Sequence, residues 1–293
     1  MSVAVRLVAT DVDGTLVRDD HRTISPRTRA AFAGVSAAGV AVMAISGREP
    51  YSIAAIVAGT ALTGHVIGGN GSVAMDLRSG RIFFEEYLDV QAQTALAHGL
   101  LAHHPELKLV SVRKGGSSYV AEHGYHGATD PGSDDAAWPV ERRFADRAEV
   151  LGTPSLKLVV RHPDPAVPPS ALLELARALD VPGCHPTISG APFMEVTRAG
   201  VTKASALARY TALHGIASEE VVVFGDNVND VEMLRWAGRG VAMGNAVAEA
   251  RGAADEVTAT NEQDGVAITL ERLLAAAGRP APRGGGRGAP TAG

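Results

Sequence analysis

The chain opens with short apolar runs separated by amphipathic stretches. Residues 3–9 are mostly apolar and β-prone, and they read as a short buried strand. Ser25-Pro26 supplies an N-cap and a first-turn proline, so a helix follows to Ala38 and Gly39 ends it. Residues 40–45 read as a second buried strand and residues 49–58 as a helix that tolerates Pro50 in its first turn. Val66-Ile67 is a third short strand, closed by Gly68-Gly69-Asn70-Gly71-Ser72. Strand, loop and helix repeat, and each strand ends in small polar residues. This is a doubly wound α/β pattern, in which ligands sit beyond the carboxyl ends of parallel strands.

The rhythm then changes. Residues 73–76 and 81–85 alternate around Ser79-Gly80 as a hairpin. A helix over 90–103, strands over 107–112 and 119–121, a Gly/Asp/Pro-rich loop over 123–139 and a short helix over 142–148 are expected next. A strand at 156–160, a helix at 170–179 and a hairpin of 184–188 with 193–197 complete an α+β module. After Gly200 the first rhythm returns: a helix from Lys203 capped by Thr202, an apolar strand at 221–224, a helix to Trp236, strands at 240–243 and 255–258, and a last helix at 265–277. The expected organisation is a core of residues 1–80 and 197–277, an inserted module of residues 81–196, and a disordered Gly/Pro/Arg tail at 278–293.

Composition narrows the options. The 293 residues carry a net charge of −5, which argues against a nucleic-acid partner. Cys184 is the one cysteine, so an internal disulfide and a cysteine metal cluster are excluded and a cytoplasmic setting is expected. No apolar run reaches the ~18–20 residues that span a bilayer, and the N-terminal apolar stretch runs straight into Asp11, unlike a signal peptide. Basic residues are nearly all arginine. Lysine survives only at Lys108, Lys114, Lys157 and Lys203, which marks those positions.

The first strand ends in Asp11 and Asp13, with Gly14 directly after. Two like charges ~4 Å apart repel by roughly 4 kcal/mol at an effective dielectric near 20. A hard divalent cation is the usual neutraliser, and a glycine turn can aim amide N–H groups at an anion. Ser46, Lys203 and the cluster Asp226, Asn229 and Asp230 share the address of the acids, the carboxyl edge of one sheet. Uncatalysed phosphate-monoester hydrolysis needs up to ~10²¹-fold acceleration. A metal, a cation, a hydroxyl, an in-line nucleophile and an acid can supply it together, and all these residue types are present.

Four segments carry a resemblance: Asp11-Val12-Asp13-Gly14-Thr15-Leu16, Ser46-Gly47-Arg48, Lys203 within Gly200-Val201-Thr202-Lys203, and Gly225-Asp226-Asn227-Val228-Asn229-Asp230. In that order they resemble the motifs of the haloacid dehalogenase (HAD) superfamily. The cap-sized insertion between the second and third resembles its Cof-type, subfamily IIB phosphatases. The resemblance implies a Rossmann-like doubly wound parallel sheet with an inserted α+β cap. It implies Asp11 as nucleophile forming an aspartyl-phosphate, and Asp13 as acid and base. Ser46, Gly47, Arg48, Asn70, Asn229 and Lys203 would contact the phosphorylated substrate. Mg²⁺ would be held by Asp11, the Asp13 carbonyl and Asp226, with Asp230 in support. A small phosphorylated metabolite is the implied substrate, such as a sugar phosphate or a cofactor intermediate, for a monomer or homodimer without a membrane partner. A phosphomutase of the phosphomannomutase type and a non-enzymatic phosphate-sensing module are the alternatives.

Overall fold

The computed structural model describes residues 4–126 and 140–278. The first third of the chain forms β1 (Leu7–Thr10), β2 (Ala41–Ile45), β3 (His65–Gly68), β4 (Val73–Asp76) and β5 (Ile82–Glu85). The middle forms β6 (Lys108–Arg113), β7 (Ser118–Glu122), β8 (Glu141–Ala145), β9 (Lys157–Arg161), β10 (Cys184–Thr187) and β11 (Met194–Arg198). The last third forms β12 (Val221–Gly225), β13 (Arg239–Ala242) and β14 (Glu256–Val257). One sheet runs β14-β13-β12-β1-β2-β3-β4-β5 and the other β10-β11-β9-β6-β7-β8.

In the large sheet the strands from β14 to β3 are parallel. Every residue of β1 and β12 is buried, as a continuous apolar run covered on both faces requires. The chain leaves β1 toward β2 and β3, then returns through β12 toward β13 and β14. Right-handed crossovers in opposite directions put helices on both faces and leave a crevice at the reversal, between β1 and β12. Register levels the two strand ends: Thr10 pairs with Phe224, and the Asp11 N–H donates to the Phe224 carbonyl at 2.9 Å. Ser25 caps the helix Pro26–Ala37, its side chain accepting from the Thr28 N–H.

The small sheet has two unlike faces. Leu96, Leu100, Leu109, Leu158, Leu172 and Val196 form an apolar core with the helices Val90–His103 and Pro169–Leu179. On the other side lie Val110, Val112, Tyr119, Ala121 and Val159. Alternation along β9 and its pairing with β11 put Lys157 and Glu195 on this second face.

Several details differ from expectation. Residues 82–85, assigned to the insertion from the chain pattern, pair with β4 and finish the large sheet, because the hairpin keeps both strands together. Residues 142–145, read as helix, form β8 parallel to β7, and the helix begins only at Arg147. A strand with charged residues on a sheet edge lacks the apolar signal by which strands are recognised. The helix Ala248–Ala253 went unassigned in a small-residue stretch. Trp138 and most of the 123–139 loop, and residues 279–293 of the tail, lie outside the described residues. No helix among the described residues is long and apolar enough to cross a membrane.

Candidate active site

The carboxyl ends of β1, β2, β3 and β12 converge on the crevice. Asp11 follows β1 and Ser46 follows β2, while Asn70 lies in the turn Gly69–Gly71 after β3. Asp226 follows β12, and Asp230 closes the turn Val228–Asp230. Lys203 is the first residue of the helix Lys203–Leu213, which Thr202 and Ser205 cap reciprocally. A helix N-terminus disfavours a cation, so this ammonium needs compensation. It has it: Lys203 Nζ lies 2.8 Å from Asp11 Oδ1 and 2.6 Å from Asp230 Oδ1, with the lysine and Asp230 side chains fully buried. Asp230 Oδ2 accepts the backbone N–H groups of Asp226 (2.9 Å) and Asn227 (3.0 Å), which locks the β12 loop.

Gly14 makes the next contact possible. Its φ is +69°, and a Cβ there would strike the Asp226 carboxylate. The β1 loop therefore packs against the β12 loop, and Thr15 Oγ1 donates to Asp226 Oδ1 at 2.7 Å. Carboxylate oxygens of Asp11, Asp226 and Asp230 all lie within 4.8 Å of one another. Burial first, then the Asp230 charge, pushes the Asp11 carboxyl well above the usual range, and Lys203 opposes the shift. The same two causes push Asp226 up to about 7. Burial works against the Lys203 ammonium, but Asp11 and Asp230 outweigh it and raise its pKa.

Three buried acids against one lysine leave an excess of negative charge on hard oxygen donors. Asp230 spends both oxygens on Lys203 and backbone N–H groups, so Asp11 and Asp226 remain to hold a cation. This donor chemistry fits Mg²⁺. A prediction follows. The folded pKa of Asp226, about 7, exceeds the ordinary unfolded value near 3.9. Its contribution to stability is complete below ~pH 4 and lost as pH rises through 7, a change on the order of 4 kcal/mol. The metal-free protein therefore melts several degrees lower at pH 8 than at pH 5. Saturating Mg²⁺ is expected to bind the charged acids and to remove most of that slope. Thermal melts from pH 5 to 8 in EDTA and in Mg²⁺ check this, and parallel curves would contradict it.

A cleft of about 470 Å³ opens beside Asn70, Lys203 and Asn229, bounded on the small-sheet side by Arg177, His185 and Ile188. Asn229 Nδ2 donates to Asn70 Oδ1 at 2.9 Å. That pairing leaves Asn70 Nδ2 and Asn229 Oδ1 buried without partners, one donor and one acceptor.

Comparison with known proteins decides the family. The model of haloacid dehalogenase-like hydrolases matches residues 8–270. A putative phosphatase of Haemophilus influenzae is 30% identical over 272 residues, covering 91% of this chain and 97% of its own length. The chain belongs to the haloacid dehalogenase-like hydrolases. A 5-amino-6-(5-phospho-D-ribitylamino)uracil phosphatase of Bacillus subtilis is 28% identical, with 92% of this chain and 97% of that protein covered. The fold matches the subclass IIB sugar phosphatase BT4131 with a TM-score of 0.74 at 20% identity, over 92% of this chain and 98% of that one. This hydrolase is thus a phosphoric monoester hydrolase of the Cof type.

The geometry assigns the other sequence candidates unequal places. Ser46 is buried, and its Oγ accepts the Arg48 N–H at 3.1 Å. Arg48 is turned to Asp13, in a bidentate pair of 2.6 and 2.7 Å, and His21 adds a contact of 3.0 Å to the same carboxylate. Burial raises the Asp13 carboxyl, but Arg48 and then His21 prevail and hold it below its ordinary value. Sequence reasoning missed His21, Thr15 and a cluster of Glu49, Lys157 and Glu195. The scarcity of lysine is the one signal that points to Lys157.

Proposed function

We propose that this hydrolase is a Mg²⁺-dependent phosphatase that cleaves phosphate monoesters of small metabolites in the cytoplasm. The observation that carries the reading is Asp11, at the end of β1, held by Lys203 at 2.8 Å within 4.8 Å of Asp226. Asp11 attacks phosphorus and the bond to the leaving oxygen breaks, with the phosphoryl group passing to the Asp11 carboxylate. Asp13 gives the leaving oxygen its proton, then takes one from the water that attacks the aspartyl-phosphate and frees Asp11. Ser46 Oγ, Lys203 Nζ and the Asn70 and Asn229 side chains hold the phosphoryl oxygens. Mg²⁺, when bound by Asp11, the Asp13 carbonyl and Asp226, supplies positive charge against the acids and the phosphoryl oxygens.

The Arg48 pair favours ionised Asp13, which suits the base step. A phosphoryl group offers Arg48 a competing anion and so releases Asp13 to carry a proton for the acid step. The cleft volume falls in the range of small-molecule sites. The ribitylaminouracil phosphatase at 28% identity makes phosphorylated polyols and cofactor precursors the first class to test. Phosphate release is measured over such a panel, with sugar phosphates and pyridoxal phosphate included, in Mg²⁺ and in EDTA. At least one compound is expected to reach a kcat/KM above ~10⁴ M⁻¹s⁻¹ in Mg²⁺ alone. Absence of release throughout, or release indifferent to EDTA, overturns the reading.

A further inference from the structure

Lys157 projects from a central strand of the cap sheet toward the core domain. Its Nζ lies 2.6 Å from the Gly47 carbonyl, 2.7 Å from Glu195 Oε1 and 2.7 Å from Glu49 Oε1. All three side chains are under one-tenth exposed. Ser189 Oγ donates to Glu195 Oε2 at 2.7 Å, and the Tyr119 hydroxyl donates to Glu49 Oε2 at 2.7 Å. Lys157, Glu195, Ser189 and Tyr119 belong to the cap, and Gly47 and Glu49 to the core. We propose that Lys157 is a positioning residue whose bond to the Gly47 carbonyl both seats the cap and aims Ser46 at the phosphoryl group.

The link runs through one peptide unit. The Gly47 carbonyl and the Arg48 N–H share a plane and point opposite ways. Lys157 holds the oxygen end, and the N–H end donates to Ser46 Oγ at 3.1 Å. Turning that plane moves the hydrogen bond on Ser46. The space around Gly47 is already full: a Cβ there would lie 3.1 Å from Asn70 Oδ1 and 3.2 Å from Glu195 Oε2. Glu195 therefore blocks one direction in which the loop could relax. Lifting the cap would part Lys157 from Gly47 and Glu49 together, leaving a buried-type ion cluster to water. Closing the cap remakes it, so closure and loop alignment occur as one event.

The kinetic part rests on the phosphatase reading, and the binding and shape measurements do not. Lys157→Met is expected to raise KM and to weaken the binding of orthovanadate, measured directly by titration calorimetry, at least tenfold each. Its small-angle scattering without ligand is expected to give a larger radius of gyration than the parent chain. Simple instability would reduce the active fraction and leave KM and the vanadate constant unmoved. Lys157→Met with Glu195→Gln returns the cluster to the net charge it has in the parent. It is expected to recover the melting temperature and not the vanadate affinity, because Gly47 stays untethered. Vanadate affinity and radius within threefold and within error of the parent, or recovery of both properties in the double variant, overturn the proposal. If Lys157→Met does not fold, the double variant is read by the same criteria. If the parent chain releases no phosphate from any substrate, the phosphatase reading fails alone, and vanadate and scattering still judge Lys157.

Discussion

Asp11→Asn is expected to lower kcat by at least ~10⁴-fold while the protein melts no lower than the parent at pH 8. The amide has nearly the shape of the carboxylate and keeps an oxygen toward Lys203. It lacks the charged oxygen that would attack phosphorus in the proposed mechanism. Removal of the charge relieves the strain of the site, because burial and Asp230 already oppose ionisation of Asp11. Lys203 keeps Asp230 at 2.6 Å. Structure and chemistry therefore separate: the fold gains slightly and turnover disappears. Steady-state phosphate release with the best substrate, beside a thermal melt, measures both. Turnover within tenfold of the parent would remove Asp11 from the nucleophile's role.

The acidic motif was legible because its logic is local. Asp11, Asp13 and Gly14 fall within four residues at a strand end, and the Asp226 to Asp230 turn is equally compact. Their meeting follows from strand order, which the alternating pattern predicts, and the β1–β12 register delivers it. The cap–core contact had no such signature. Lys157 and Gly47 are 110 residues apart, and nothing near either residue announces the other. Lys157 sits in an apolar strand where only the rarity of lysine singles it out. Arg48 was legible as a residue of the site but not in its partner. An arginine beside a phosphate position could face phosphate or Asp13, and only side-chain packing selects the bidentate pair. The misread segment at 142–145 has the same cause. Edge-strand pairing with β7 overrides a charged sequence that carries no period-two apolar signal.

Lys203→Met is expected to cost stability as well as activity, in contrast to Asp11→Asn. The lysine is fully buried between two acids, so its removal leaves carboxylates in a dry site without their cation. Breaking a buried ion pair from one side typically costs about 3–5 kcal/mol. For a domain of this size that is roughly 10 °C of melting temperature. The pH sense is defined. Lys203 itself titrates far above neutrality, so its own ionisation adds no slope near pH 7. Asp11 loses the cation that opposed its upward shift, so the variant's deficit grows between pH 5 and pH 8. Turnover is expected to fall at least ~10³-fold, since the ammonium proposed to hold the phosphoryl oxygens is gone. Lys203→Arg would not restore it, because a planar guanidinium needs more room than the ammonium's buried position gives. Lys203→Met with Asp230→Asn separates the two losses: neutralising the stranded acid recovers most of the melting temperature, and the missing cation keeps the enzyme inactive. A Lys203→Met protein as stable as the parent at pH 8, or one that turns over within tenfold of it, would mean that Asp11 and Asp230 are not balanced by this lysine.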